Sequence, residues 1–243
     1  MKRLPPYLFV LLLALVPLRA GAQYINAYID AGAITSQIEG DELKGFKMWN
    51  FTGGVGAFVR FDQYGTWGLS IEADYAGRGV YQNLHNSKNL YNIDLRMHYV
   101  DIPVTVFFKD PYGGIRIGLG PVYSRLVQQP HGEIEYSPNH FLPDTSDMNF
   151  LKNDFSAAAE IRFTIWNNLY MSIRYQQSLF PVKKNWHFTE NDNTWANDCF
   201  NQSLSFRLLW QFGEPDRPSR KRAQTRRPNN HNRPNVHVRR NKR

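Results

Sequence analysis

Between residues 25 and 212, apolar side chains return at every second position in eight separate runs, and no stretch of useful length carries a helical period. Two-residue periodicity puts alternate side chains on opposite faces of an extended strand, so the chain is committed to sheet. The first run is Ile25, Ala27, Ile29, Ala31 and Ala33, with Asn26 and Asp30 opposite. The next sets Phe51, Val55, Ala57, Val59 and Phe61 against Thr52, Arg60 and Asp62. Trp67, Leu69, Ile71, Ala73 and Tyr75 then face away from Ser70, Glu72, Asp74 and Arg78. A fourth run begins with Ile93, Leu95, Met97 and Tyr99 against Asp94 and Arg96. It continues with Val100, Ile102, Val104, Val106 and Phe108, a change of parity that predicts a β-bulge near Tyr99. Runs at 115–123, 155–165, 169–175 and 204–212 complete the set, opposite Arg116, then Glu160 and Arg162, then Arg174, then Arg207.

The connections between these runs measure about 13, 4, 9, 5, 27, 3 and 19 residues, long and short in strict alternation. The short ones, 63–66, 109–113 and 166–168, are rich in turn formers. A membrane barrel sorts its connections in this way, with tight turns towards the periplasm and projecting loops outside. The fold class expected is all-β, an eight-stranded antiparallel transmembrane β-barrel with a disordered C-terminal tail.

Three stretches follow from the ends. Lys2 and Arg3, the apolar run from Leu4 to Leu18 and the small residues Ala20, Gly21 and Ala22 read as a cleaved signal peptide over 1–22. The run falls short of the roughly 20 apolar residues of a spanning helix, and Pro5, Pro6 and Pro17 interrupt it. The barrel occupies 23–212. Residues 213–243 hold eleven Lys and Arg against Glu214 and Asp216, with four prolines and five asparagines, which predicts a basic disordered periplasmic tail. The net charge of +8 therefore belongs to the ends: the leader contributes +3, the tail +9, and residues 23–212 carry −4. Cys199 has no partner in the chain, so disulfides do not staple the fold.

Periodicity does not say which face points inward. A lipocalin-like barrel hides its apolar face, whereas a membrane barrel turns it to lipid. Aromatic residues near the strand ends favour lipid: Tyr64, Trp67, Tyr112, Trp166, Tyr170, Trp210 and Phe212 at the short-turn end, and Trp49, Tyr81, Tyr91 and Phe180 at the other. The opposite face nearly neutralises itself. Its predicted lumen ion-pair network is Arg60, Glu72, Asp74, Arg96, Arg116, Glu160, Arg162, Arg174 and Arg207, accompanied by Asp30, Asp62, Arg78 and Asp94. An eight-stranded barrel is just wide enough for side chains to fill, so the network reads as a structural plug rather than a conducting path.

Several stretches resemble the outer-membrane β-barrel proteins of Bacteroidetes grouped as PorT-like or porin-family proteins. They are Tyr99-Val100-Asp101-Ile102-Pro103, Gly118-Leu119-Gly120-Pro121-Val122-Tyr123, Asp154-Phe155 and Tyr75-Ala76-Gly77-Arg78-Gly79. Leu204 to Phe212 is similar to the terminal aromatic signal of such barrels, although the chain continues for 31 residues beyond Phe212. The resemblance implies an outer-membrane barrel accessory to type IX secretion of proteins.

No metal-ligand spacing, nucleophile elbow or phosphate loop stands out. The loop acids Asp144, Asp147, Glu190, Asp192 and Asp198 read as solvated, and His140, Asp144 and Ser146 have no spacing that specifies a catalytic site. No enzyme, metal or cofactor is expected. In the tail, Arg217, Arg220, Lys221, Arg222, Arg226 and Arg227 form a candidate partner-binding cluster. Export argues against nucleic acid, leaving anionic lipid, secretion-apparatus proteins or another acidic periplasmic partner. The function expected is a non-catalytic secretion accessory; a narrow pore or solute-binding barrel and a loop-based surface enzyme are the alternatives.

Overall fold

The computed structural model describes residues 25–213, apart from 41–44, 63–64, 87–88, 111–113, 137–141, 144–148 and 191–192. The 1–22 leader and nearly all of the tail lie outside the described residues. Among the described residues ten strands follow one another: β1 (Ile25–Glu39), β2 (Met48–Arg60), β3 (Trp67–Asn86), β4 (Asn89–Lys109), β5 (Ile115–Tyr136), β6 (Leu142–Pro143), β7 (Asn153–Trp166), β8 (Leu169–Ser178), β9 (Lys183–Glu190) and β10 (Asn193–Gln211). Eight of them, β1-β2-β3-β4-β5-β7-β8-β10, form a ring that closes where β10 pairs with β1. Every pairing in it is antiparallel, and the closing seam runs from Tyr28 opposite Gln211 to Glu39 opposite Phe200. Closure leaves the ring no open edge, which is what a sheet needs to stand in hydrocarbon.

The two remaining strands sit at the long-loop end. β9 pairs with the first half of β10, and the two residues of β6 pair with β9. Much of what the sequence assigns to loops there is continued strand. β3 and β4 stay paired out to Asn86 opposite Asn89, so their connection shrinks to two residues. At the other end the turns are short. The Asp62 carboxylate accepts from the backbone N–H of Thr66 and Trp67 and closes the β2–β3 turn. Asp62 is thus a turn cap rather than the lumen charge its parity suggests.

The outward face carries the predicted apolar strings. Ile29, Val55, Ile71, Val106, Leu119, Ile161 and Leu208 are exposed around the wall, with Trp67, Trp166, Trp210 and Phe212 towards the short turns. Trp49, Tyr81 and Phe180 are exposed towards the long loops. Tyr170 departs from the expected girdle, because it is buried inside. Tyr64 and Tyr112 lie outside the described residues.

β4 corrects a larger expectation. Its alternation never changes parity: Leu95, Met97, Tyr99, Asp101, Thr105 and Phe107 are all buried, while Val100, Ile102, Val106 and Phe108 are exposed. The irregularity near Tyr99 is present, but the extra residues are on β5. Arg96 faces His131, His98 faces Gln128 and Tyr99 faces Leu126, so β5 uses five steps where β4 uses three. What changes along β4 is the surroundings. Within the apolar band the outside must be greasy and the inside holds charge. Beyond the band the same wall meets water, so its outer face turns polar and its inner face apolar.

This inversion builds a second core at the long-loop end. Ile34, Ile38, Val80, Leu95, Met97, Tyr99, Leu126, Phe150, Val182, Trp186 and Cys199 form one buried apolar cluster inside the extended wall. Phe150, Val182 and Trp186 come from the connections, so folded-in loops cap the barrel.

The orientation has a measurable consequence. Leu119 is 65% exposed at the middle of the outward band, and Val127 is 66% exposed on the same strand beyond it. Leu119→Arg should destabilise the inserted barrel by about 2–4 kcal/mol and Val127→Arg by no more than about 1 kcal/mol, read from denaturant unfolding in phospholipid vesicles.

Candidate functional site

The lumen is filled in layers. Nearest the short turns lies a layer of the aromatic side chains Tyr28, Phe58, Phe107 and Tyr170, packed with Leu209. These inward rings need room that the neighbouring strand supplies. Tyr28 lies over Gly56, Phe58 over Gly68 and Phe107 over Gly118, where an added Cβ would strike the ring. A glycine beside an aromatic on the next strand is the signal that places them inside. The Arg116 guanidinium sits between the rings of Phe58 and Tyr170, 4.6 and 4.8 Å from their centres. Arg60 is also buried.

The next layer is a network of four carboxylates and three guanidiniums from β1, β3, β7, β8 and β10. Glu72 accepts from Arg162 at 2.5 Å, Arg174 at 2.5 Å and Arg207 at 2.8 Å. It also takes the Tyr28 hydroxyl at 2.6 Å and Ser70 at 2.8 Å. Glu160 accepts from the same three arginines, at 2.6 Å from Arg162, 2.6 Å from Arg174 and 3.1 Å from Arg207, and from Ser172 at 2.6 Å. Asp74 binds Arg174 at 3.1 Å and Arg207 at 2.9 Å, and Asp30 binds Arg207 at 3.3 Å. The side chains of all seven are at most 5% exposed. Arg162 also lies 4.3 Å from the Phe107 ring centre and 5.1 Å from that of Tyr28, which ties this layer to the aromatic one.

A third layer lies between the network and the apolar cap. Arg78 binds Asp101 closely and reaches Asp154 at 3.6 Å, with its guanidinium 4.9 Å from the Tyr99 ring centre. Ser178 donates to Asp154 at 2.8 Å, and Asn201 donates to the Tyr99 hydroxyl at 3.1 Å.

Six of the nine predicted network residues, Glu72, Asp74, Glu160, Arg162, Arg174 and Arg207, therefore meet in one layer. Arg60 and Arg116 also point inward; Arg116 stacks on rings. Arg96 is a correction. Its side chain is 53% exposed on the outer face, where it forms a two-pronged pair with Asp94 at 2.9 and 3.0 Å. Leu95, Met97 and Tyr99 alternate as a lipid-facing string would, but they face the inner apolar core, so Asp94 and Arg96 opposite them face out. Asp101 and Asp154, the partners of Arg78, are absent from the predicted set. The alternation of Val100 to Phe108 already assigns Asp101 to the inner face. The tail cluster Arg217, Arg220, Lys221, Arg222, Arg226 and Arg227 lies outside the described residues.

One grouping has metal-like geometry. Asp30, Glu72 and Asp74 each offer an oxygen within 4.8 Å of the others. Arg207 Nη1 lies 2.8 to 3.3 Å from one oxygen of each, so a guanidinium already serves as their shared cation.

The wall is thus a closed eight-strand ring with outward apolar strings and a charged lumen. Residues 8–212 match the family described as outer membrane protein beta-barrel domain. The chain belongs to that family. As an outer-membrane β-barrel, it has hydrocarbon around its wall, and the layered charges are its interior. No match was found among the curated proteins. Similar solved structures include Ail, the attachment invasion locus protein of Yersinia pestis, at 14% identity, covering 77% of this chain and 98% of that one with a TM-score of 0.40. Neisserial surface protein A is similar at 12% identity over 76% of this chain and 97% of its own, TM-score 0.43. OprG from Pseudomonas aeruginosa is similar at 10% identity, 78% and 97% coverage, TM-score 0.39.

Breaking one partner of a buried ion network strands the others. Arg207→Met should cost about 3–5 kcal/mol in equilibrium unfolding from vesicles. Arg125→Met, on the exposed outer face, should stay within about 0.5 kcal/mol.

Proposed function

We propose that this barrel is a closed, non-catalytic outer-membrane scaffold whose activity resides at its two ends, as an accessory to protein secretion. The observation that carries the closed state is the network of Glu72, Asp74, Glu160, Arg162, Arg174 and Arg207 spanning the lumen between aromatic and apolar layers. A lumen occupied at three successive levels leaves transport through the wall to other proteins. The non-catalytic reading draws support from the same residues, since their carboxylates are engaged by guanidiniums instead of facing a substrate.

The secretion role rests on the resemblance of Tyr99-Val100-Asp101-Ile102-Pro103 and Gly118-Leu119-Gly120-Pro121-Val122-Tyr123 to PorT-like barrels. In this reading the short turns face the periplasm, and the tail arginines meet an anionic periplasmic partner or a component of the secretion apparatus. A second reading, a narrow pore, is favoured by a different observation. Asp30 Oδ2, Asp74 Oδ1, Asp101 Oδ1, Asp154 Oδ1 and Ser156 Oγ are buried without a hydrogen-bond partner, as groups lining a hydrated path would be.

Planar-bilayer recordings separate the two. A scaffold gives no steady unitary conductance, and reproducible single-channel steps from the intact chain would establish the pore instead. Deleting residues 214–243 should lower surface delivery of secreted cargo while leaving barrel insertion normal; unchanged delivery would remove the tail from that role.

A further inference from the structure

The outer wall is not uniform at the level where the apolar band ends towards the long loops. Across β4, β5 and β7 the pairing sets Ile102, Tyr123 and Phe155 in one row. The next row out is Tyr75, Val100, Arg125 and Asn153. Two rows of cations and imidazoles follow: His98 opposite Gln128, then Arg96 opposite His131. Tyr123 and Phe155 pack at 5.3 Å between ring centres. Tyr75, His98 and His131 form a stack with separations of 5.8 and 5.2 Å. Arg125 donates to the neutral amide of Asn153 at 2.5 Å, which also accepts from Tyr123 at 3.0 Å. Arg125, Lys152 and His131 are exposed.

The opposite side of the same rim has another chemistry. Gln177, Gln202 and Gln37 form a row across β8, β10 and β1. The Glu39 carboxylate accepts from Gln202 at 2.7 Å and from Gln177 at 3.3 Å. Amides and an acid therefore crown the wall there, where Arg125 and Lys152 stand on the β5–β7 side.

We propose that the β4–β5–β7 face holds a phosphorylated membrane lipid, with Arg125 and Lys152 on its phosphate and Tyr123 and Phe155 against the first segments of its acyl chains. Charge complementarity selects the occupant. The exposed Arg125 guanidinium one row above the lipid-facing rings, with exposed Lys152 one residue beyond its partner Asn153, sits where a headgroup phosphate lies, and a soluble polyanion would have no use for the rings. Asn153 orients the Arg125 guanidinium, whose remaining N–H groups are free to grip two phosphate oxygens side by side. The Asp94–Arg96 pair flanks the site without adding net charge.

The test uses the full chain reconstituted in phosphatidylcholine vesicles doped with diphosphorylated lipid A or with the same lipid dephosphorylated. Native mass spectrometry after detergent release counts the glycolipid retained per barrel. Retention of the phosphorylated form alone is expected, falling at least about fivefold in R125Q/K152Q and unchanged in E39Q. Excess inorganic phosphate should compete only weakly, because the acyl chains hold the lipid in place. Equal retention of both lipids by the unaltered chain overturns the proposal without recourse to any variant. So does full retention by R125Q/K152Q, or an equal loss in E39Q. Heat-modifiable gel mobility verifies that each variant is a folded barrel before it is scored.

Discussion

An eight-stranded ring encloses a volume that water cannot fill as it fills a wide pore and that lipid cannot enter, so its side chains must satisfy one another. Here the solution is the sharing of three guanidiniums among four carboxylates. Glu72 and Glu160 each take all three arginines, and Arg207 reaches all four acids. Of the strands that supply its members, β7, β8, β10 and β1 are consecutive in the ring while β3 pairs with none of them, so the network ties one stretch of wall to a strand it does not otherwise bond. Pairs desolvated this fully gain little over apolar packing; what they supply is a single arrangement of the charged level between two apolar ones. The register that places Glu160 beside Arg174 and Ser172 beside Arg162 is also the register that turns the apolar strings to lipid.

The rest of the molecule follows from where this polar core stops. Above it Arg78 gathers Asp101 and Asp154, and above that the interior becomes apolar while the exterior becomes polar. Strand alternation is continuous through the change. A protein in lipid with a charged heart and a protein in water with a greasy heart are joined along the same strands, and β4 carries both in one unbroken period.

That continuity explains what the sequence could and could not disclose. Strands, turns and closure were legible because alternation within the band has one polarity: Val55, Ile71 and Leu119 outside, Glu72 and Arg116 inside. The run Leu95, Met97 and Tyr99 looks the same whether it faces lipid or an internal core, so its assignment to lipid failed and carried Asp94 and Arg96 with it. Tyr28, Phe58 and Phe107 were hidden for a related reason. An inward aromatic is recognisable only beside the glycine that receives it, and Gly56, Gly68 and Gly118 are on other strands. The four- and five-residue separations at which Asp62 caps Thr66 and Trp67 likewise depend on a turn geometry that parity does not contain.

The central claim is that the lumen at the level of the Glu72–Glu160 network is solid. Ser172, fully buried where it donates to Glu160, reports on that level directly. With Cys199 replaced by serine, a Ser172→Cys barrel in vesicles would be exposed to a small cationic methanethiosulfonate reagent from both sides of the membrane. A filled lumen predicts no modification until the protein is unfolded, followed by complete labelling. Rapid labelling of the inserted, folded barrel would show an open aqueous path through the network and contradict the account.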